Sequence, residues 1–318
     1  MTISSEKKIA FLFPGQGSQA VGMGRELQEH SSAARAVFQE ADEVLGFSIS
    51  QLCFAGPEDQ LKLTENTQPA ILTVSVAALL VLAEHSVSCH MAAGHSLGEY
   101  SAHVAAGTLT FAEAVRAVRN RGRYMQQAVP AGEGAMAAIL GLRSEQVAEA
   151  CDAATGQCGG IVAPANINSP EQIVISGATG AVELAVILCR ERGAKRTVML
   201  PVSAPFHCAL MESAQQQLAG DLRTINFHDP GVPIVSNVDA AWIATGDAAR
   251  DGLIRQVTGA VRWVECERQL IEGNATHFIE VGPGKVLCGL MRQLDRAQVC
   301  LSVENLVSLE KTLAALQA

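Results

Sequence analysis

Ser96 stands between Gly94 and Gly98 in the pentapeptide Gly-His-Ser-Leu-Gly, after an apolar run and before a helical pattern. This is the pattern of a nucleophile elbow, in which a strand ends, one residue takes a strained backbone and a helix begins. Glycine is needed on both sides because a Cβ would collide within the turn. The amide of Leu97 would face the carbonyl that the serine attacks. The pattern predicts a serine nucleophile, and a glycine-flanked turn that only starts a helix is the alternative.

An activated serine needs a base, and eight histidines compete for that role. His207 is the best candidate because it lies in a loop with two prolines after a predicted strand, where catalytic groups tend to be placed. His95 is expected to point away from Ser96, and His103 lies two turns along the outgoing helix. His277, at the start of a strand, stays open as an alternative. Core or surface positions are expected for His30, His85, His90 and His228.

Arg121 is predicted to lie on the apolar face of a helix over residues 110–129. At about 100° per residue, Arg116, Arg119 and Arg123 share a different arc of that helix. An arginine on an apolar face needs an anion, because burying an unpaired guanidinium is unfavourable. The anion is either an Asp or Glu of a neighbouring element or a carboxylate on the substrate. The sequence leaves both alternatives open.

Two further glycine-rich runs, residues 15–17 and 282–285, follow predicted strands. Neither has the spacing of a nucleotide-phosphate loop or of a dinucleotide fingerprint. The first run could supply backbone amides to an oxyanion, and the second is expected to shape a turn and a helix start.

The elements that must position these residues alternate between strands and helices. Residues 1–129 and 202–318 are predicted to form one discontinuous α/β domain. Residues 130–201 are predicted to form a small inserted α+β domain of the split βαβ kind. The predicted strands are 8–13, 90–94, 135–140, 160–163, 172–176, 196–200, 234–236 and 277–280. The predicted helices are 24–45, 69–85, 97–106, 110–129, 144–154 and 179–192.

The composition restricts the class of protein. The 318 residues are 48% hydrophobic and 17% charged, which indicates a compact, enzyme-like body. A formal charge of −9 argues against a nucleic-acid partner. The nine cysteines include no Cys-x-x-Cys pair, which predicts free thiols in a reducing compartment and no metal site. The apolar runs at residues 1–13 and 70–83 are too short for a signal peptide or a membrane span, so a cytoplasmic protein without membrane contact is expected.

Five segments in this order carry a family resemblance: residues 13–19 (Phe-Pro-Gly-Gln-Gly-Ser-Gln), 94–101 (Gly-His-Ser-Leu-Gly-Glu-Tyr-Ser), 119–122 (Arg-Asn-Arg-Gly), 204–207 (Ala-Pro-Phe-His) and 280–284 (Glu-Val-Gly-Pro-Gly). Over nearly its full length the chain resembles the malonyl-CoA:acyl-carrier-protein transacylases of type II fatty acid synthesis. The resemblance implies an α/β-hydrolase-like large domain with an inserted ferredoxin-like small domain. It also implies ping-pong transfer of a malonyl group from malonyl-CoA to acyl carrier protein without a cofactor or metal.

The resemblance also assigns catalytic roles. It implies Ser96 as the nucleophile, His207 as the base and the backbone carbonyl of Gln256 as the partner of that base. The backbone amides of Gln16 and Leu97 would form the oxyanion hole.

On the substrate side, the resemblance implies that Arg121 holds the malonyl carboxylate. It places Met125 and Phe206 in the acyl pocket. It places Asn166 and Asn168, on the small domain, near the substrate.

A carrier protein is typically acidic, so an enzyme of charge −9 needs a local basic patch to recruit it. Lys195 with Arg196 and Lys285 with Arg292 are the candidates, and ordinary solvated surface is the alternative for each. The resemblance favours the first pair, because it implies that the carrier arm enters between the domains.

Three competing functions remain. A discrete acyltransferase that loads a polyketide carrier protein uses the same chemistry. A serine acyl hydrolase is disfavoured because Arg121 would lie unpaired beside a neutral acyl chain. A non-catalytic carrier-binding subunit is disfavoured because the chain keeps Ser96 and His207.

Overall fold

The computed structural model describes residues 7–202 and 204–317, which form two sheets surrounded by helices. The strands are β1 Ile9–Phe13, β2 Met91–Gly94, β3 Gly134–Leu140, β4 Val162–Ser169, β5 Gln172–Ala178, β6 Arg196–Met199, β7 Ile234–Val235, β8 Trp242–Ile243, β9 His277–Val281 and β10 Val299–Val303. The α-helices are α1 Arg25–His30, α2 Ser32–Leu45, α3 Ile49–Ala55, α4 Glu58–Leu61, α5 Thr64–Glu84, α6 Gly98–Ala105, α7 Phe111–Gln127, α8 Ser144–Cys158, α9 Thr179–Glu191, α10 Glu212–Leu222, α11 Gly246–Arg255, α12 Trp263–Glu272, α13 Val286–Leu294 and α14 Leu306–Gln317. A short 3₁₀ helix spans Ala209–Met211.

The larger sheet has the strand order β10-β9-β1-β2-β7-β8, and only β8 runs antiparallel to its neighbour. All five residues of β1 are buried, as expected for an inner parallel strand covered on both faces. β1 and β2 pair with Phe13 opposite Gly94, so the loops that follow them leave the same edge of the sheet. Ligand sites of open α/β sheets form at this carboxyl edge. The register therefore brings the glycine-rich run after β1 next to the predicted elbow.

The smaller sheet has the order β4-β5-β3-β6 and is antiparallel throughout. Its βαββαβ succession, with α8 and α9 packed on it around a separate core, is the ferredoxin-like arrangement. This confirms the predicted fold class. The four strands lie within residues 134–199, while the exact domain boundaries at 130 and 201 stay a prediction. Backbone hydrogen bonds between β4 and Val261 join the small sheet to the large domain.

Helix α5 crosses the core of the large domain and begins five residues before the predicted start at Pro69. The predicted start is therefore wrong. A proline inside a helix leaves the carbonyl four residues earlier without its usual donor, so the helix can continue through it only if another group supplies a donor. Here the carbonyl of Glu65 accepts a hydrogen bond from Nη1 of Arg119 at 2.7 Å. By length and composition α5 could cross a membrane, but 83% of its most apolar window is buried inside the fold. It is the core helix that the apolar run predicted.

Two other predicted elements need correction. The single helix over residues 24–45 is two helices, because Ser31 is extended and its hydroxyl accepts from the amide of Ala34 at 3.0 Å to cap α2. The strand predicted at 160–163 extends to Ser169 as β4. By contrast, the capping box that Thr110 and Glu113 predict at the start of α7 is present.

Candidate active site

Ser96 lies between the end of β2 and the start of α6 with a backbone φ of 51°, the left-handed conformation of a nucleophile elbow. The turn is so tight that a Cβ on Gly94 would lie 1.9 Å from the backbone of Gly98. A Cβ on Gly98 would lie 2.0 Å from the carbonyl oxygen of Phe13 on β1. The two glycines therefore allow the elbow to form directly against the neighbouring strand.

His207 faces the elbow, with its Nε2 atom 2.7 Å from the hydroxyl of Ser96. Its Nδ1 atom lies 2.8 Å from the backbone carbonyl of Gln256. This carbonyl belongs to the C-cap of α11, where helix carbonyls lack partners and carry partial negative charge. The three groups form a serine–histidine–carbonyl relay, in which the main chain takes the place of a carboxylate.

Burial depresses the basicity of this histidine. Desolvation first, and the nearby positive charge of Arg121 second, lower the pKa of His207 to about 3. The ring is therefore neutral at physiological pH and can accept a proton. Its Nδ1 carries the hydrogen because the carbonyl of Gln256 can only accept, which leaves Nε2 free to accept the proton of Ser96.

Two backbone amides lie beside the serine. Within residues 7–202 and 204–317, the N–H groups of Gln16 and Leu97 donate no hydrogen bond. Leu97 is the N-cap residue of α6, where backbone amides lack partners within the helix and the helix dipole is positive. Gln16 lies in the loop after β1, where a Cβ on Gly15 would come within 2.5 Å of the carbonyl of His95. Both residues line the cavity in front of Ser96.

Arg121 lies on α7 with 1% of its surface exposed, on the apolar face where helical periodicity places it. Its Nη1 donates to Oε1 of Gln68 at 2.8 Å, and its Nη2 donates to the Ser96 hydroxyl at 3.1 Å and to Oε1 of Gln256 at 2.9 Å. No carboxylate in the described part of the chain forms an ion pair with it. The structural ion pair considered from the sequence is therefore not formed there.

A buried polar network behind the elbow was not found from the sequence. Asn237 accepts from the amide of Ser96 at 2.7 Å and donates to the carbonyl of Gly94 at 2.7 Å. The side-chain amide of Gln256 donates to the carbonyl of Ser96 at 3.0 Å and to Oε2 of Glu99 at 2.6 Å. The only sequence signal for Asn237 is its place at the carboxyl end of β7, the edge where sites form. These side chains hold both backbone polar groups of the strained serine.

The cavity in front of Ser96 has a volume of about 120 Å³. Of the residues that the family resemblance places near the substrate, Met125, Phe206, Asn166 and Arg121 line it. The other lining side chains are Gln68, Met136, Leu200 and Val202, which the sequence did not single out, and His95, which it considered as the base but did not favour.

Asn168 lies elsewhere than the other predicted substrate residues. Its Oδ1 lies 2.8 Å from Nε2 of His95, which agrees with the prediction that this histidine points away from the serine. Asn168 and His95 line a second cavity of about 150 Å³, together with Gln16. Gln16 and His95 are shared by both cavities, so the second cavity adjoins the first.

The predicted docking residues Lys195, Arg196, Lys285 and Arg292 are all exposed. None of the four lines the second cavity, whose walls include Gln172 on β5 and Val286, Leu287 and Leu290 on α13. Lys285 and Arg292 line a separate cavity of about 480 Å³ beside β10 and α14. Lys195 pairs with Glu171 at 2.8 Å, one residue from Gln172, and Lys285 precedes Val286 and pairs with Glu304 at 3.0 Å. Lys195 is therefore connected to the lining of the second cavity through one ion pair and Lys285 through its chain neighbour, whereas Arg292 lines the other cavity.

A serine–histidine pair with free amides at the carboxyl edge of an α/β sheet defines a serine-dependent acyl-transfer enzyme. Residues 10–311 match the acyl transferase domain family. A malonyl CoA-acyl carrier protein transacylase of Bacillus subtilis (strain 168) is 47% identical over 310 residues, covering 98% of each chain. This chain belongs to the malonyl-CoA:acyl-carrier-protein transacylase family.

Solved structures agree. An acyl carrier protein S-malonyltransferase of Vibrio cholerae is 46% identical with a TM-score of 0.94, covering 96% of this chain and 100% of that one. A malonyl-transacylase solved in complex with a type II polyketide acyl-carrier protein is 42% identical with a TM-score of 0.94, covering 97% of this chain and 100% of that one.

Proposed function

We propose that this enzyme transfers a malonyl group from malonyl-CoA to the phosphopantetheine thiol of acyl carrier protein, through a malonyl ester on Ser96. The observation that supports the serine step best is the 2.7 Å contact between the Ser96 hydroxyl and Nε2 of His207 at the mouth of a small cavity. A buried arginine in the same cavity, without a carboxylate partner in the described residues, supports an acyl group that carries its own carboxylate.

Acylation begins when His207 takes the proton of Ser96 and the serine oxygen attacks the thioester carbonyl. The free amides of Gln16 and Leu97 stabilise the oxyanion that forms. His207 then delivers the proton to the leaving sulfur, the C–S bond breaks and CoA departs as the thiol. The malonyl group remains as an ester on Ser96. Every group in this step belongs to the chain or to the substrate.

Deacylation runs the same sequence in reverse with the carrier thiol. His207 removes the thiol proton, the thiolate attacks the ester, and the serine leaves with the proton returned to it. A neutral carbonyl at Gln256 stabilises the imidazolium less than an aspartate would, so the proton moves easily in both directions. This weak bias suits a reversible transfer between two thiols.

Arg121 holds the malonyl carboxylate in this proposal. Its guanidinium lies next to the nucleophile, since Nη2 is 3.1 Å from the Ser96 hydroxyl. Two hydrogen bonds from one guanidinium would fix the acyl group against the oxyanion amides and leave the ester open to the incoming thiol. A simple ester hydrolase would gain nothing from this buried charge, which favours the transferase over a hydrolase.

The carrier protein docks at the opening between the domains. The second cavity adjoins the one in front of Ser96, since Gln16 and His95 line both, and the exposed Lys195 pairs with Glu171, the chain neighbour of the lining residue Gln172. An acidic carrier would meet Lys195 and Arg196 on the small domain while its arm enters the cavity. A fatty acid carrier is the proposed partner, and a polyketide carrier is the alternative supported by the similarity to the polyketide complex. We also propose that the enzyme acts in the cytoplasm, where a reducing environment keeps thiols such as its free cysteines reduced.

Peptide mapping tests the covalent step. Brief incubation with malonyl-CoA should place a malonyl ester on Ser96, and Ser96→Ala should abolish the ester and the transfer. Thr110→Ala, which changes a hydroxyl at the exposed cap of α7, is the control that should keep the ester on Ser96. A label on Cys208, which is buried beside the base, would contradict the assignment.

A further inference from the structure

Glu99 is a buried carboxylate at the start of α6, three residues after the nucleophile, and none of its surface is exposed. Its Oε2 accepts from the side-chain amide of Gln256 at 2.6 Å and from the backbone amide of Asn237 at 3.1 Å. Its Oε1 has no hydrogen-bond partner among the described residues. The mechanism above does not use this carboxylate, so its burial needs a separate explanation.

The amide of Gln256 links Glu99 to the substrate arginine. Arg121 can only donate, so the atom of Gln256 that faces its Nη2 at 2.9 Å must be the oxygen. The nitrogen end is then directed at Glu99, whose carboxylate accepts from it. One amide therefore separates the buried guanidinium from the buried carboxylate, and each fixes the orientation that the other requires.

The charges around Glu99 come from four elements. Among the described groups, the cation that acts on Glu99 is Arg121 on α7 and the anion is Asp239 after β7. Tyr100 on α6 and Cys266 on α12 are neutral, because burial raises their pKa values. Asp239 is itself paired with an exposed arginine and adds negative potential at Glu99. Tyr100 and Glu99 both act electrostatically on Arg121, and because burial keeps the Tyr100 phenol protonated, Glu99 is the one of the two that can carry a negative charge at neutral pH.

We propose that Glu99 takes up a proton when the malonyl group occupies the site, so that only one carboxylate charge at a time lies near the buried arginine, which Glu99 approaches across the amide of Gln256 without an ion pair. The inference rests on the proposed function, because it requires a substrate carboxylate at Arg121. Once that carboxylate binds, two negative charges would lie near one guanidinium, one in contact with it and one across the amide of Gln256, and like charges so placed favour protonation of one of them. Protonation at Oε1 breaks no hydrogen bond, since Oε2 makes both.

The resting state of Glu99 is compatible with this exchange. Burial raises its pKa to about 7, against the lowering effects of Gln256, Asn237 and Arg121. When the substrate carboxylate pairs with Arg121, the guanidinium no longer lowers the pKa of Glu99 to the same extent, and that pKa rises further. The proton comes from solvent, because acylation itself is balanced: the proton of Ser96 leaves on the CoA thiol and none is gained or lost.

Proton uptake during acylation is the measurement. The full-length enzyme is mixed with malonyl-CoA in weak buffer with a pH indicator and no carrier protein, and the malonyl ester is counted by intact mass. Uptake should be about half a proton per ester at pH 7, larger at pH 8 and absent near pH 5. Acetyl-CoA, which lacks the carboxylate, should acylate the wild type without uptake.

Two variants assign the proton. Glu99→Gln should form the ester without uptake, and its infrared difference spectrum should lack the protonated-carboxyl band of the wild type. Glu267→Gln is the matched control, because Glu267 is equally buried with one unpartnered oxygen but is bound to Trp263 instead of the arginine network, and it should keep the uptake.

The outcomes separate the two proposals. An ester without uptake in the wild type would overturn the inference and leave the transferase intact. Uptake that persists in Glu99→Gln, or equal uptake with acetyl-CoA, would assign the proton to another group such as His207 and overturn it as well. Failure to form any ester would overturn the proposed function and the inference with it.

Discussion

Replacing Asn237 by alanine should damage the elbow without touching the reacting groups. The side chain is fully buried and makes two hydrogen bonds of 2.7 Å, one from the amide of Ser96 and one to the carbonyl of Gly94. Removing it leaves both backbone groups buried and unsatisfied, at about 1–3 kcal/mol each. We expect the free energy of unfolding to fall by about 2–6 kcal/mol.

The same change should slow acylation. Ser96 has a positive φ, a conformation that costs about 1–3 kcal/mol and persists only where surrounding groups hold it. Without Asn237 the turn relaxes and the hydroxyl moves away from His207. A displacement of about 1 Å can cost roughly 100-fold in rate, so kcat should fall by up to that factor.

Urea unfolding at equilibrium and single-turnover malonyl transfer measure the two effects. Asn226→Ala is the control, because that asparagine is exposed and, within residues 7–202 and 204–317, its side chain bonds only to His228. A stability loss below about 1 kcal/mol in Asn237→Ala, together with an unchanged rate, would show that the elbow is held without this side chain.

Three further substitutions test the substrate and carrier contacts. Arg121→Ala should lower kcat/KM for malonyl-CoA by an amount that corresponds to about 3–5 kcal/mol of lost transition-state stabilisation, as when one side of a buried charge pair is removed. The loss with acetyl-CoA should be far smaller, and equal losses would indicate a purely structural role. Phe206→Ala should relax the preference for malonyl over methylmalonyl, which one methyl group in a tight pocket sets at about 10- to 200-fold; an unchanged ratio in competition assays would place the selective wall elsewhere. Charge reversal at Lys195 and Arg196 should raise the KM for carrier protein and weaken its salt dependence, with the malonyl-CoA half-reaction near normal; if both half-reactions fall together, the pair serves CoA or the fold.

Local patterns in the sequence predicted the parts of the site that depend on local structure. The glycines around Ser96 predicted the elbow, and helical periodicity predicted that Arg121 is buried. The two prolines before His207 predicted the loop that carries it, and His207 itself has a positive φ of 59°. The family resemblance then supplied Gln256, whose carbonyl no local pattern could have selected.

The supporting network could not be predicted, because its contacts join distant parts of the chain. Asn237 lies 141 residues from the amide that it accepts from, and Gln68 lies 53 residues from Arg121. Neither belongs to a pattern that periodicity or spacing can detect. The prediction for the start of α5 was wrong for the same reason. The group that replaces the missing donor of Pro69 is the side chain of Arg119, which lies on another helix.

The histidine partner is a main-chain carbonyl, and this affects how the enzyme tolerates genetic change. An aspartate in that place can be lost by a single codon substitution, whereas all twenty amino acids, proline included, would present a carbonyl at position 256. Substitutions there can disturb the acceptor only by moving the end of α11. In a saturation library at this codon, every variant that leaves the end of α11 in place would report on the side-chain amide, while the backbone still orients the base. Proline would in addition remove the hydrogen bond from the amide of residue 256 to the carbonyl of Gly252.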